Sequence, residues 1–171
     1  MRNDIPIPGT TREKLLHAGI LLFGQYGYEA IDVDRIAAEA GVTTGPLYHH
    51  FKSKQAFYGL LRDDMTQRIL DRMEAAAESV EPKRAVQAAL LAAYDGALRI
   101  EAGRLLTEPD PRDVQDTIAH LLSELAAREG NKTAPMLGIL LAAALRAALI
   151  ETRKGHGEAR EALAHLRDIV P

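Results

Sequence analysis

From Thr43 to Lys54 the sequence reads Thr-Thr-Gly-Pro-Leu-Tyr-His-His-Phe-Lys-Ser-Lys, with two lysines, two histidines and no carboxylate. A short helix over 44–51 would leave Thr43, Thr44, Gly45, Pro46, Tyr48 and His49 exposed. Hydroxyls and unpaired backbone N–H groups at a helix N-terminus suit phosphate oxygens. Tyr48 and His49 add apolar ring faces and donors of the kind that meet base edges or thymine methyls. Lys54, at the start of the next helix, is placed for a backbone phosphate. The chemistry on offer is recognition of a polyanion.

Catalytic chemistry finds little to work with. The chain has no cysteine, which removes thiol nucleophiles, zinc–thiolate sites and disulfides. None of His17, His49, His50, His120, His156 or His165 has Glu three residues before it, so the Glu-x-x-His pairs of metal-binding bundles are missing. Asp116/His120 and Glu161/His165 are spaced i, i+4, as solvated helix partners commonly are. No Gly-rich phosphate loop or nucleophile elbow occurs. The expectation is a non-enzyme without cofactor or metal.

The elements that position the acid-free stretch are all helical. The first helix spans about 11–26, capped by Thr10 or Thr11, with Leu15, Ala18, Gly19, Leu22 and Phe23 on its buried stripe and Gly27 as its stop. Asp32 caps a short helix over 33–40, whose Ile36, Ala37 and Ala40 face inward. Gly41 permits a sharp turn, and Val42 plugs the gap behind it. A second short helix covers 44–51, with Pro46 tolerated in its first turn. Ser53 caps a long helix to about residue 79. Four more helices are expected, at about 82–106, 112–129, 133–153 and 158–169, joined by short connections as in a bundle.

A short helix, a Gly-centred turn and a second short helix make a helix-turn-helix, with Ala37, Val42 and Leu47 as the core between the two. More specifically, residues 11–58 resemble the DNA-binding domain of the TetR family of bacterial regulators. The matching residues are Phe23-Gly-Gln-Tyr-Gly27-Tyr, Ile36-Ala-Ala-Glu-Ala-Gly41-Val and Leu47-Tyr48-His-His-Phe51-Lys-Ser-Lys54. The resemblance implies an all-α fold: a three-helix DNA-binding domain over 1–53, then a connecting helix and a ligand-binding and dimerisation bundle within 54–171. It places DNA contacts at Thr43, Thr44, Gly45, Pro46, Tyr48, His49 and Lys54, with Leu47 and Phe51 in the core. Many relatives carry Thr where this chain has Ile31-Asp32, and a carboxylate there cannot donate to a phosphate. With only Arg2 and Arg12 as bases near the N-terminus, no minor-groove arm is expected and phosphate contacts should be few.

Hydrophobic residues make up 47% of the chain, charged residues 26%, and formal net charge is −3. That balance is ordinary for a globular protein, and a DNA surface needs only a local absence of acids. Residues 1–10 lack the apolar core of a signal peptide, and the apolar run 134–145 is interrupted by Pro135 and ends at Arg146, so a cytoplasmic location is expected.

Seven of the eight aromatic rings lie in the first 58 residues; Tyr94 is the exception. A pocket in the C-terminal half would therefore be aliphatic, compatible with an acyl chain or other lipophilic effector. Tyr94, Asp95, Arg99 and Arg146 are the candidate ligand residues. Asp95 and Arg146 interrupt apolar stripes, and either pair with each other, with a dimer mate or with water, or orient a ligand head group. The helix over 133–150 is apolar nearly all round, and with 158–170 it would form a four-helix contact across a two-fold axis. It could also be the central core helix of one subunit. The combined expectation is a repressor that binds a palindromic operator as a homodimer and is released by a small effector. A ligand-independent regulator and a helical protein–protein adaptor are the alternatives.

Overall fold

The computed structural model describes residues 9–100, 103–128 and 130–169, the side chains of 167–169 excepted. Arg2 and residue 170, within the ranges given above, lie outside the described residues. Within them every regular element is helical: α1 (Thr11–Tyr26), α2 (Val33–Glu39), α3 (Thr44–Phe51), α4 (Lys54–Glu78), a 3₁₀ turn (Pro82–Arg84), α5 (Ala85–Arg99), α6 (Gly103–Thr107), α7 (Thr117–Arg128), α8 (Ala134–Arg153) and α9 (Ala159–Ile169).

The N-terminal helices begin where short polar side chains predict. Thr10 Oγ1 accepts from the Glu13 N–H at 3.3 Å, Asp32 Oδ1 from the Arg35 N–H at 2.8 Å, and Ser53 Oγ from the Ala56 N–H at 3.0 Å. Such a cap contributes about 1 kcal/mol. α1 stops at Gly27 (φ 85°), and the α2–α3 turn passes through Gly41 (φ 66°). Leu15, Leu22, Phe23, Ile31, Ile36, Leu47 and Phe51 fill the space among α1, α2 and α3.

Two helices expected from the sequence are differently built. The stretch 82–106 is not one helix but the 3₁₀ turn, α5 and α6. α6 passes close to α1 at Gly103, where a Cβ would lie 3.1 Å from the Gly24 carbonyl, a tight contact that a glycine relieves. The helix expected from residue 112 starts at Thr117. Asp113 has φ 52°, incompatible with a helix, and Asp116 Oδ1 accepts from the Ala119 N–H at 3.1 Å as its cap.

α4 links the helix-turn-helix to the C-terminal helices. Phe57, Tyr58 and Leu61 at its start pack against α1, and Ile69, Met73 and Ala77 further on pack among α5 and α7. α8 lies along α7, and a Cβ on Gly138 would collide with Ser123 and the Ala119 carbonyl. That glycine therefore serves close contact within the chain. By length and composition alone α8 could cross a membrane, with mean hydropathy 1.7 and a full 20 residues once it continues past Arg146. Arg146, ion-paired to Asp116 at 2.6 Å, and the tight packing on α7 mark it as a bundle helix with one open face. That face carries Met136, Ile139 and Leu140, each more than half exposed.

Candidate nucleic-acid interface

The turn from α2 to α3 is held by backbone hydrogen bonds from the Gly41 N–H to Ala38 O and the Val42 N–H to Ala37 O. Ala37 and Leu47 are buried on either side, and Val42 is half-buried between them. Leu47 and Phe51 anchor one face of α3. The opposite face emerges into solvent with Thr43, Gly45, Tyr48, His49 and His50 exposed and Thr44 and Pro46 half-buried.

The start of α3 differs from those of α1, α2 and α4. Thr43 occupies the N-cap position with extended backbone, but its side chain makes no capping bond. Its hydroxyl and the first backbone N–H groups of α3 remain open to an outside acceptor, which is the arrangement a phosphate oxygen fits. No acidic residue lies in the first turn, and His49 and His50 occupy the last. Asp32, the departure noted in the sequence, directs its carboxylate to its own helix cap, and the neighbouring Arg35 guanidinium lies 4.2 Å from the Tyr26 ring centre. Lys54 is half-buried, with Nζ 4.1 Å from the centre of the Tyr28 ring. It stands at the edge of the α3 surface, with its charge partly held by that ring.

An aromatic cluster seats this interface on α4. Phe23 meets Tyr58 edge-on at 5.0 Å, Tyr28 meets Tyr58 at 4.9 Å, and Phe51 meets Phe57 at 4.5 Å. The rings thus tie α1, the α1–α2 turn, α3 and α4 together. Burial pushes the Tyr58 phenol above its ordinary pKa, partly offset by its hydrogen bond from Arg62. The crowding of rings into residues 23–58 was visible in the sequence; their mutual packing was not derivable from spacing.

The four candidate ligand residues fall in two places. Thr152 donates to the Ala148 carbonyl, so the Tyr94 hydroxyl, 2.6 Å from Thr152 Oγ1, donates to it in turn. Asp95 forms a bidentate pair with Arg160 of α9, at 2.8 Å for both bonds, which holds its carboxyl below the ordinary value; Arg99 is exposed nearby. Asp95 and Arg146 therefore do not pair with each other. Arg146 bonds Asp116 and the Leu106 carbonyl and lines a separate groove of about 600 Å³. Arg62, Asp63, Glu108, Asp110 and Arg112 line the same groove. Leu106, Pro109, Val114 and Ile118 complete its lining, which mixes charged and apolar groups.

Residues 15–60 match the family described as bacterial regulatory proteins, tetR family. The chain is 36% identical over 121 residues to an HTH-type transcriptional repressor of Mycobacterium tuberculosis, covering 68% of this chain and 60% of that one. It is 43% identical over 65 residues to the HTH-type transcriptional repressor KstR2 of Mycolicibacterium smegmatis, 37% of this chain and 32% of the relative. The chain thus spans less than two thirds of the length of either. Among solved structures, a TetR-like transcriptional regulator from Rhodococcus sp. RHA1 superposes with a TM-score of 0.72 at 19% identity, covering 95% of both chains. That likeness extends the shared fold over the C-terminal helices.

Proposed function

Through its N-terminal helix-turn-helix this chain belongs to the TetR family of bacterial regulatory proteins, and we propose that it is a cytoplasmic repressor that binds a palindromic operator as a homodimer. One observation carries this reading: α3 leaves the fold with an acid-free, hydroxyl-bearing face and an N-cap side chain that makes no bond of its own. In this reading residues 1–53 are the reading head and 54–171 the body. Thr43, Thr44, Gly45 and Pro46 approach the phosphates and the edge of the major groove, Tyr48 and His49 meet bases, and Lys54 leaves the Tyr28 ring for a phosphate. The apolar row of α8, with α9 beside it, supplies the two-fold contact. Such a dimer sets two α3 helices one or two turns of duplex apart, each turn roughly 34–36 Å.

A small effector is the regulator we favour, bound in the groove beside Arg146. Its mixed lining suits a compound that carries both a charged group and an apolar part. Tyr94, Asp95 and Arg99 form a second candidate surface, though the first two already have partners within the chain. The effector shifts the equilibrium only by the difference in its affinity for the DNA-competent and DNA-incompetent states.

Selecting bound duplexes from a random library with the purified chain tests the reading. Enrichment of a palindrome whose binding weakens with salt is the expected result. Release of that duplex by cell extract would then lead to the effector. No enrichment at low salt would favour a helical adaptor that binds protein alone.

A further inference from the structure

The turn between α1 and α2 is held by a residue far away in the chain. The Tyr28 backbone N–H donates to Glu108 Oε2 at 3.1 Å, across 80 residues of sequence. Next to it, Gly27 leaves open the space that the same carboxylate occupies, because a Cβ there would collide with Glu108. The turn thus both bonds Glu108 and makes room for it. Glu108 is held from its own side as well: Arg104 donates to Oε1 at 2.9 Å, and Arg62 of α4 donates to the Glu108 carbonyl at 2.7 Å.

Glu108 begins a strap that runs from the end of α6 to the start of α7. Asp110 pairs with Arg62 at 3.2 Å and Arg112 at 2.7 Å, and Arg112 in turn forms a bidentate pair with Asp63 of α4. Gln55, in the first turn of α4, donates to the Pro111 carbonyl at 3.0 Å. At the far end Asp116 pairs with Arg146 of α8. The strap therefore touches the α1–α2 turn, α4 and α8.

α4 joins the helix-turn-helix to the bundle and α6 packs across α1, but these helix contacts leave the final angle to be settled by side-chain packing. Apolar ring contacts are weakly directional, whereas a carboxylate–amide hydrogen bond is not. Glu108 adds such a directional contact, off the α4 axis and beside the packing of α1 on α6. We infer that Glu108 is the positioning residue that fixes the angle of the helix-turn-helix against the bundle, and that the strap from Glu108 to Asp116 carries displacements at Arg146 to it alongside α4. The consequence for DNA rests on the function proposed above; the positional role does not.

The lack of cysteine makes the test direct. Ala38→Cys on α2 and Ala127→Cys on α7, both exposed, accept spin labels, and dilution into unlabelled chain restricts the reading to distances within one molecule. The parent should give one narrow distance peak. Glu108→Ala should lose it to a broad distribution while helix content stays intact. Gly27→Ala should do the same from the other side of the contact. Glu108→Gln, which keeps an acceptor for the Tyr28 N–H, should restore a narrow peak. On duplexes whose half-sites are moved by one base pair, Glu108→Ala should lose discrimination among spacings by about tenfold, within the usual range of coupling between sites. Merely lowering the amount of folded protein would weaken all spacings alike. A broad peak in the parent, or an unchanged one in Glu108→Ala, would overturn the assignment. Failure of the parent to bind any duplex would remove the operator reading and leave the distance measurement to judge Glu108.

Discussion

α3 and α8 each leave one face uncovered, and the two faces have opposite chemistry. On α3 the open positions are Thr43, Gly45, Tyr48, His49 and His50, over a base of Leu47 and Phe51. On α8 they are Met136, Ile139, Leu140 and Ile150, over a base of Gly138, Ala142, Leu145 and Leu149. The first face offers donors and ring edges and keeps its wetted groups in water at little cost. The second leaves apolar area in water that only another apolar surface can remove. A helix face is therefore informative about its partner through what remains outside the core. The hydrophobic pattern that folds both helices is much the same.

The largest expected effect breaks the α8 half of this contrast. Leu140→Glu should shift the proposed dimer towards monomer by about 4 kcal/mol, two symmetric losses of about 2 kcal/mol. Sedimentation would read the shift, and circular dichroism should show the helices retained, because Leu140 is exposed at 60%. Unaltered association would take the two-fold contact away from α8. On α3, Tyr48→Ala should weaken operator binding by about 1–3 kcal/mol, with Thr44→Ala acting in the same direction. Dimerisation and melting should be unchanged, since Tyr48 is half exposed. Equal affinity for both variants would move the reading surface elsewhere.

A smaller effect concerns the strap between the two faces. Hydrogen bonding from Arg112 holds the Asp110 carboxyl below its ordinary pKa. Its contribution is therefore present above the unfolded value, near 3.9, and is lost as pH falls through the lower folded value. Asp110→Asn should cost about 1.5 kcal/mol at neutral pH, the low end for a hydrogen bond to a charged group. Denaturant melts should show parent and variant converging below about pH 4; a gap independent of pH would mean that the charge contributes nothing. The smallest effect is expected at Asp95–Arg160, a half-exposed pair. Arg160→Ala should change stability by under about 1 kcal/mol, with no effect on DNA affinity.

The helix-turn-helix was legible because its signals are local. Thr10, Asp32 and Ser53 cap the helices they precede, Gly27 and Gly41 take positive φ, and Leu47 and Phe51 are buried. The all-helical architecture was legible for the same reason. The division of 82–106 was not, because alanine- and leucine-rich sequence favours helix on both sides of the break between α5 and α6. Asp95 and Arg146 could be picked out as charges in apolar stripes, but their partners, Arg160 and Asp116, lie 65 and 30 residues away. Glu108 carried no signal at all: its amide partner is a backbone group, which any residue supplies.

The exposed row on α8 has a consequence for dose. If two reading helices must be joined before either grips an operator, assembly is a second-order step. While most chains are single, the number of competent pairs rises with the square of the chain's abundance. Halving expression would then remove about three quarters of them, by mass action alone. The apolar face of Met136, Ile139 and Leu140 would thereby give the gene it controls a threshold, set by how much of the protein the cell makes.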